Sequence, residues 1–296
     1  MNLSGLRYEG PIYRPPSETN SLLIQTTIGC PWNKCTFCMV YKNGPKFKIR
    51  PVEEIKEDLL WVKKNYLFPI ETVFFPSGNS IIMKTDDFVE ILIYTKKLYP
   101  NLKRITIYGS SQYIVKKGLK DIKRLADAGL SRIHVGLESG SDVVLKNVCK
   151  GSTSDIQIEA GEIVKKSDVE LSEYVVLGLG GKKHSKQHIS ETIKILNIIN
   201  PDFIRIRTFL PKINTPILNE IDSGSFKILS PHEVLKETYD LIKGLKVTSQ
   251  VLSDHYTNYI QVKGRFPEDK DVMLKSIDQS LKKDKNVFRK IYIGTE

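Results

Sequence analysis

Six short runs of apolar and β-branched residues recur along the chain, separated by longer polar stretches of helical period. The runs predict strands at about 21–27 (SLLIQTT), 71–75 (ETVFF), 103–108 (KRITIY), 132–137 (RIHVGL), 171–177 (LSEYVVL) and 202–208 (DFIRIRT). The stretches between them predict helices. In RPVEEIKEDLLWVKKNY, Val52, Ile55, Leu59 and Val62 fall on one face. TDDFVEILIYTKKLY opens on Thr85, an N-cap candidate followed by two acids in its first turn. KKGLKDIKRLADAGL ends at Gly129, a natural helix stop. STSDIQIEAGEIVKKSD and HSKQHISETIKILNIINP follow the same scheme.

Strands alternating with helices predict an α/β fold with a parallel sheet, right-handed crossovers and helices on the faces. Near-continuous apolar strands fit a sheet that is covered. An open doubly wound sheet and a barrel or partial barrel satisfy the pattern equally. Beyond about residue 225 the pattern changes. LSPHEVLKETYDLIKGL starts a helix at Ser230-Pro231 with Glu233 at the capping-box position, and the charged tail over 263–290 is expected to be helical in part. The expected organisation is an N-terminal arm over 1–20, the sheet region over 21–225, and a small, mostly helical C-terminal extension over 226–296 packed on it. No internal repeat is evident.

Composition agrees with a globular chain. Of 296 residues, 40% are hydrophobic and 27% charged, enough for a substantial core. No apolar run reaches the ~18 residues of a membrane span, and MNLSGLRYEGPIYRPP lacks the apolar centre of a signal peptide. A cytoplasmic protein with no membrane partner is expected. The net charge of +11 comes from lysines spread over helix faces, and no basic run is interleaved with aromatics. That tilts toward an anionic substrate without favouring nucleic acid.

The candidate chemistry lies in GCPWNKCTFC, Gly29 to Cys38, which holds three of the four cysteines as C-x4-C-x2-C. In a reducing compartment, Cys30, Cys35 and Cys38 at this spacing suit a metal better than disulfides. Structural zinc needs a fourth ligand, which only Cys149 could supply as a thiolate. The same spacing with a distant cysteine is also that of plant-type 2Fe–2S ferredoxins. Cys149, however, ends the helical stretch SDVVLKNVCKG behind a different strand, which favours a packed or incidental residue. Three cysteines on one loop further suit a 4Fe–4S cluster with one iron left open. Zinc, an electron-transfer cluster and a catalytic cluster all remain open from these residues. The loop follows the first predicted strand. The other strands are followed by PSGN, YGSS, LESGS, GLGG and RTFLP, all small, Gly-rich or polar. In parallel α/β folds these segments share the rim where sites form.

GCPWNKCTFC, GLESGSDVVLKNVCKG and VLGLGG, in that order over roughly residues 20–220, resemble the radical S-adenosylmethionine (SAM) superfamily. The resemblance is closer to the branch of oxygen-independent coproporphyrinogen oxidase, the elongator-type radical proteins and the tRNA methylthiotransferases. Four residues between the first two cysteines, instead of the more common three, depart from the usual loop. The resemblance implies a partial (β/α)6 TIM-type barrel. It implies that Cys30, Cys35 and Cys38 ligate three irons of a 4Fe–4S cluster and that SAM chelates the fourth. Phe37 would lie near the adenine, and Ser77, Gly78 and Asn79 would receive the SAM amino group. Ser110, Glu138 and Ser139 would supply polar contacts, and Lys150 would pair with the SAM carboxylate. Gly178 and Gly180 would admit the adenosine, and Arg207 would face SAM or substrate. The implied reaction is reductive cleavage of SAM to a 5′-deoxyadenosyl radical that abstracts hydrogen from a substrate. A flavodoxin- or ferredoxin-type reductant would supply the electron. No catalytic side chain is assigned, and the contrasting function is a non-enzymatic iron–sulfur or zinc protein.

Other residues are weaker candidates. His184 and His188 share a helix face at metal-ligand spacing but lack a third ligand, so a solvated helix end is expected. His134 either points into a barrel toward SAM or substrate or is a satisfied inner residue. Arg205 and Arg207 share one face of the last strand and, with Tyr174, are candidates for binding a carboxylate or phosphate. The contrasting role for an arginine there is an ion pair that closes the barrel edge. Full cysteine ligation of an auxiliary cluster is implausible with one cysteine left, and no cobalamin-binding or RNA-binding appendage is evident.

Overall fold

The computed structural model describes residues 5–295, so the first four residues of the expected arm and Glu296 lie outside the described residues. The main sheet runs in the order β1 (Leu22–Leu23), β4 (Thr72–Phe75), β5 (Arg104–Gly109), β6 (Arg132–Glu138), β7 (Glu170–Leu177), β8 (Phe203–Thr208), β9 (Gln250–Leu252) and β10 (Lys263–Arg265). All pairings from β1 to β9 are parallel, and β10 closes the series antiparallel to β9. Five of the six predicted strands are thus recovered, and the first in part.

Two features differ from the sequence expectation. The run over 21–27 is not one strand. Its start pairs with β4, but the chain then leaves the sheet and Thr27–Ile28 (β2) pairs with Lys48–Ile49 (β3) in a separate antiparallel ladder. Arg50 holds the departure, donating from its backbone N–H to the Thr26 carbonyl and from Nη1 to the Gln25 carbonyl. The cysteine loop is therefore tied at its base by β2 and β3. In addition, the C-terminal part expected to be mostly helical adds β9 and β10 to the sheet, and Lys212 forms a bridge to Gly294.

The helices are α1 (Val52–Asn65), α2 (Thr85–Leu98), α3 (Ser111–Ala128), α4 (Asp142–Asn147), α5 (Ser154–Lys165), α6 (Gly181–Ile199), α7 (Ile217–Asp222), α8 (Pro231–Gly244) and α9 (Lys270–Leu281). On α1, Ile55, Leu59 and Val62 are fully buried, as the period predicts. Ser230 and Glu233 form the expected capping box of α8, and Gly129 ends α3 in a left-handed conformation. Gly118 kinks α3. Thr85 is not an N-cap. It is the first helical residue, and its hydroxyl is engaged by α3, donating to Asp121 Oδ2 at 2.8 Å and accepting from Lys117 Nζ at 3.0 Å, instead of accepting from a first-turn N–H.

The large apolar core lies between sheet and helices, with Ile105, Ile107, Ile133, Leu171 and Val175 among the strand residues that face outward. The inner face of the sheet carries a second, aromatic layer of Phe74, Tyr108, His134 and Tyr174, with ring centroids 5.0–6.1 Å apart. This layer is the floor beneath the C-terminal strand ends. Among the described residues no helix is long and apolar enough to cross a membrane.

Candidate active site

A cavity of about 740 Å³ opens above that floor. Residues from along the strand series line it, including Cys30, Cys35, Cys38 and Phe37 after β2, Ser77 and Gly78 after β4, Ser110 after β5, Glu138 at the end of β6, Lys150 after it, and Arg207 on β8.

The cysteine loop is braced from two sides. Gly78 packs under it and donates its backbone N–H to the Gly29 carbonyl. From the α4–α5 link, the Val148 carbonyl accepts from Thr36 N–H at 3.0 Å, and the Cys149 carbonyl accepts from Trp32 Nε1 at 2.7 Å. The Trp32 ring lies so close to Gly151 that a Cβ there would stand 2.4 Å from it. Asn33, at φ +44°, turns its N–H toward Cys30 Sγ at 3.4 Å. Burial pushes the Cys35 thiol up to about 11, with Lys150 opposing, and also raises Cys38. A metal must therefore displace protons from these thiols.

The donor set fits an iron–sulfur cluster. Three soft thiols face one cavity, and Cys149 is exposed and outside it. Among the described residues no three His, Cys, Asp or Glu side chains converge as around a single ion. A cuboidal cluster spreads its thiolates wider than tetrahedral zinc does. Cys30, Cys35 and Cys38 would hold such a cluster.

Beside the cysteines, Lys150 Nζ donates to Glu138 Oε1 at 3.0 Å, both side chains being largely buried. Burial opposes the Lys150 charge, but Glu138 and the Cys35 and Cys38 sulfurs outweigh it and raise the Lys150 pKa. A bulge between Gly136 and Glu138 turns Glu138 to φ +61° and aims it inward. Gly136 makes room, since a Cβ would stand 2.2 Å from Glu138 Oε1 and 2.8 Å from Lys150 Nζ. Buried Gln157 holds the freed Leu137 carbonyl at 2.8 Å.

On the β4 side, Ser77 adopts φ +86° and its hydroxyl accepts from Gln25 Nε2 at 3.1 Å. Asn79, expected at the SAM amino group, does not line the cavity. It is buried behind Ser110, donating from Nδ2 to Ser110 Oγ at 2.5 Å, and its Oδ1 has no hydrogen-bond partner among the described residues.

Three further expectations are not met. Ser139 does not reach the cavity. It is fully buried, its hydroxyl 2.8 Å from His188 Nδ1 and accepting from Ser141 N–H, because the turn into α4 needs that oxygen. His188 is accordingly no solvated helix end but fully buried, while His184 is half-buried. Gly178 and Gly180 do not line the cavity. Gly178 at φ +79° donates its N–H to Glu237 of α8, so its freedom serves the turn into α6.

His134 does not line the cavity and is an inner residue satisfied on one side only. It is fully buried in the floor, its Nε2 3.4 Å from Glu18 Oε1 and its Nδ1 without a hydrogen-bond partner among the described residues. Glu18 itself comes from the N-terminal arm and also accepts from Ser21 and Arg104. Nothing in the sequence marks Glu18 as a plug of the barrel interior. Trp32, Gly136 and the segment Asp254–Tyr256 also line the cavity without having been singled out. Trp32 was detectable as a large apolar residue in a polar loop. Asp254–Tyr256 follows β9, whose QVL signal was absorbed into the helical extension.

The Radical SAM superfamily profile matches residues 24–196. Biotin synthase of Clostridium botulinum (strain Loch Maree / Type A3) is 29% identical over 158 residues, covering 52% of this chain and 45% of that protein. tRNA-2-methylthio-N(6)-dimethylallyladenosine synthase of Thermodesulfovibrio yellowstonii is 26% identical over 195 residues, covering 65% and 44%. The chain thus spans less than half the length of these relatives. The crystal structure of methylornithine synthase (PylB) shares the fold, with a TM-score of 0.52 at 18% identity over 88% of this chain and 80% of that one.

Proposed function

Because the chain belongs to the radical SAM superfamily, whose cofactors are a 4Fe–4S cluster and SAM, we propose that it is a radical SAM enzyme acting on a substrate bound above the aromatic floor. The observation that carries this reading is the convergence of Cys30, Cys35, Cys38 and the Lys150–Glu138 pair on one cavity. A bound, reduced cluster would supply the single electron for reductive cleavage of the C5′–S bond of SAM, with methionine as the other product, and so the chemistry for hydrogen abstraction from the substrate.

The chain's own residues bind and orient. The thiolates of Cys30, Cys35 and Cys38 would hold the cluster. Lys150 offers its ammonium to the SAM carboxylate while Glu138 fixes the amine in place. Ser77, Gly78 and Ser110 form the polar edge toward the SAM amino group, with Asn79 behind them holding Ser110, and Phe37 supplies an apolar face for the adenine. Phe74, Tyr108, His134 and Tyr174 exclude water from below. A one-electron reductant of flavodoxin or ferredoxin type serves as partner.

Anaerobic reconstitution tests the reading. The protein should bind about four irons per chain and, once reduced with dithionite, convert SAM to 5′-deoxyadenosine. Cys30→Ala, Cys35→Ala and Cys38→Ala should each abolish both. A reduced, cluster-loaded protein that leaves SAM intact overturns the assignment.

A further inference from the structure

The cavity has a second cationic side, on β8. Arg205 and Arg207 lie on its inner face, and Tyr174 is the register partner of Arg205 on β7. The Arg207 guanidinium stands 5.3 Å from the Tyr174 ring centroid. Four polar atoms there are buried without a hydrogen-bond partner among the described residues: Tyr174 Oη, Arg205 Nε and Nη1, and Arg207 Nε. Guanidiniums only donate, so the buried surplus is one of donors and positive charge.

Among the described residues the chain neutralises this surplus only in part. Among the described residues Arg207 has no acidic partner, and Arg205, whose side chain is 4% exposed, reaches only Asp254 Oδ2 at 3.7 Å, too long for a hydrogen bond. A buried guanidinium is costly unless paired, and half-buried Arg207 has its Nε buried as well. A long ion pair to Asp254 accounts for Arg205 in part and for Arg207 not at all.

Nor is this the cation beside the cysteines. The cation beside the cysteines is Lys150, held by Glu138 at the end of β6. Arg205 and Arg207 lie two strands away on β8, with Arg207 over the Tyr174 ring of the floor. A cavity of about 740 Å³ that also receives SAM leaves room for a metabolite-sized molecule or a single residue of a larger one.

We propose that the substrate carries an oxyanion group, a carboxylate or a phosphate, held by Arg207 and Arg205 with the Tyr174 hydroxyl, and that this group anchors it beneath SAM. This assignment rests on the radical SAM reading of the same cavity. Arg207 offers a planar fork that matches either group, and Tyr174 adds one directed O–H donor. Asp254 borders the site and disfavours a second anionic group on that side.

The test uses the cluster-reconstituted protein saturated with SAM, titrated calorimetrically at constant ionic strength with inorganic phosphate and with succinate. At least one probe should bind saturably. Tighter succinate identifies a carboxylate substrate, and tighter phosphate a phosphate ester. Arg207→Gln should weaken the preferred probe at least about tenfold more than it weakens SAM. Tyr174→Phe, which keeps the ring, should weaken the same probe by about threefold or more. Lys246→Gln, a surface charge removed elsewhere, should change neither. If no probe saturates the wild type, or if Arg207→Gln weakens SAM as much as the probe, the proposal is overturned. Formation of 5′-deoxyadenosine by the same wild-type sample is read separately. Its absence defeats the radical SAM reading whatever the anions do.

Discussion

Gly78 lies against the backbone of Cys30. A Cβ on Gly78 would stand 2.7 Å from Cys30 Cα and 2.4 Å from the Gly29 carbonyl oxygen. Both obstacles are main chain, so they cannot swing aside. Gly78→Ala should displace the cysteine loop, cost about 1–3 kcal/mol and lower cluster occupancy by more than half. Iron and sulfide per chain after reconstitution measure the second effect. Full occupancy in the alanine variant would mean that the loop tolerates a shift here.

The Lys150–Glu138 pair makes a different prediction. Its side chains are 12% and 15% exposed, so removing one partner strands the other in a largely dry site. Lys150→Met should cost about 3–5 kcal/mol in urea unfolding, and adding Glu138→Gln should recover most of it. SAM affinity should stay weak in both variants. Stability that is merely additive in the double variant contradicts the coupling.

Cys149 contributes its carbonyl to the loop and leaves its thiol exposed. Cys149→Ala should therefore reconstitute with the wild-type iron content, while Trp32→Ala, which removes the indole donor and the cover over Gly151, should not. Cluster loss in Cys149→Ala points to a closed four-cysteine centre and against an open iron.

Four buried groups shape the pH dependence. Burial lowers His134 and His188 to about 4 from an ordinary 6.5. Unfolded chain thus takes up protons first on acidification, and the two histidines withdraw stability as pH falls from about 6.5 to 4. Burial raises Glu173 to about 8 and Glu237 to about 7 from 4.5. Their contribution is complete below 4.5 and is lost as pH rises through 7 and 8. The opposed slopes predict a plateau between about pH 4.5 and 6.5 and a decline above it, up to ~1.4 kcal/mol per pH unit for each group. Urea unfolding from pH 5 to 8.5 should show that decline, and Glu173→Gln should reduce it. A Glu173→Gln curve parallel to wild type would show that Glu173 ionises normally.

Several parts of the site were legible from residues alone. A period of two in the strands and 3.6 in the helices marks which faces are apolar, and those faces meet wherever the chain is placed. The rim followed, because parallel strands put every following loop at one end. Ser139 and Gly178 show the limit. Both occupy rim segments, and both are used by the turns themselves, Ser139 toward His188 and Gly178 toward Glu237. A small residue after a strand reads the same whether it serves a ligand or its own turn.

What the sequence by itself determined is the alternation of strands and helices, the three-cysteine loop and the family it belongs to. Each is local, written in spacing along the chain. What only the tertiary structure decided is which side chains share the cavity. Glu18 reaches His134 from an arm 116 residues away, Trp32 reaches Cys149 across 117 residues, and Asp254 meets Arg205 through a strand added after the six expected ones. Those contacts arise when the sheet curves and its ends bring distant loops together, and no local pattern of residues encodes them.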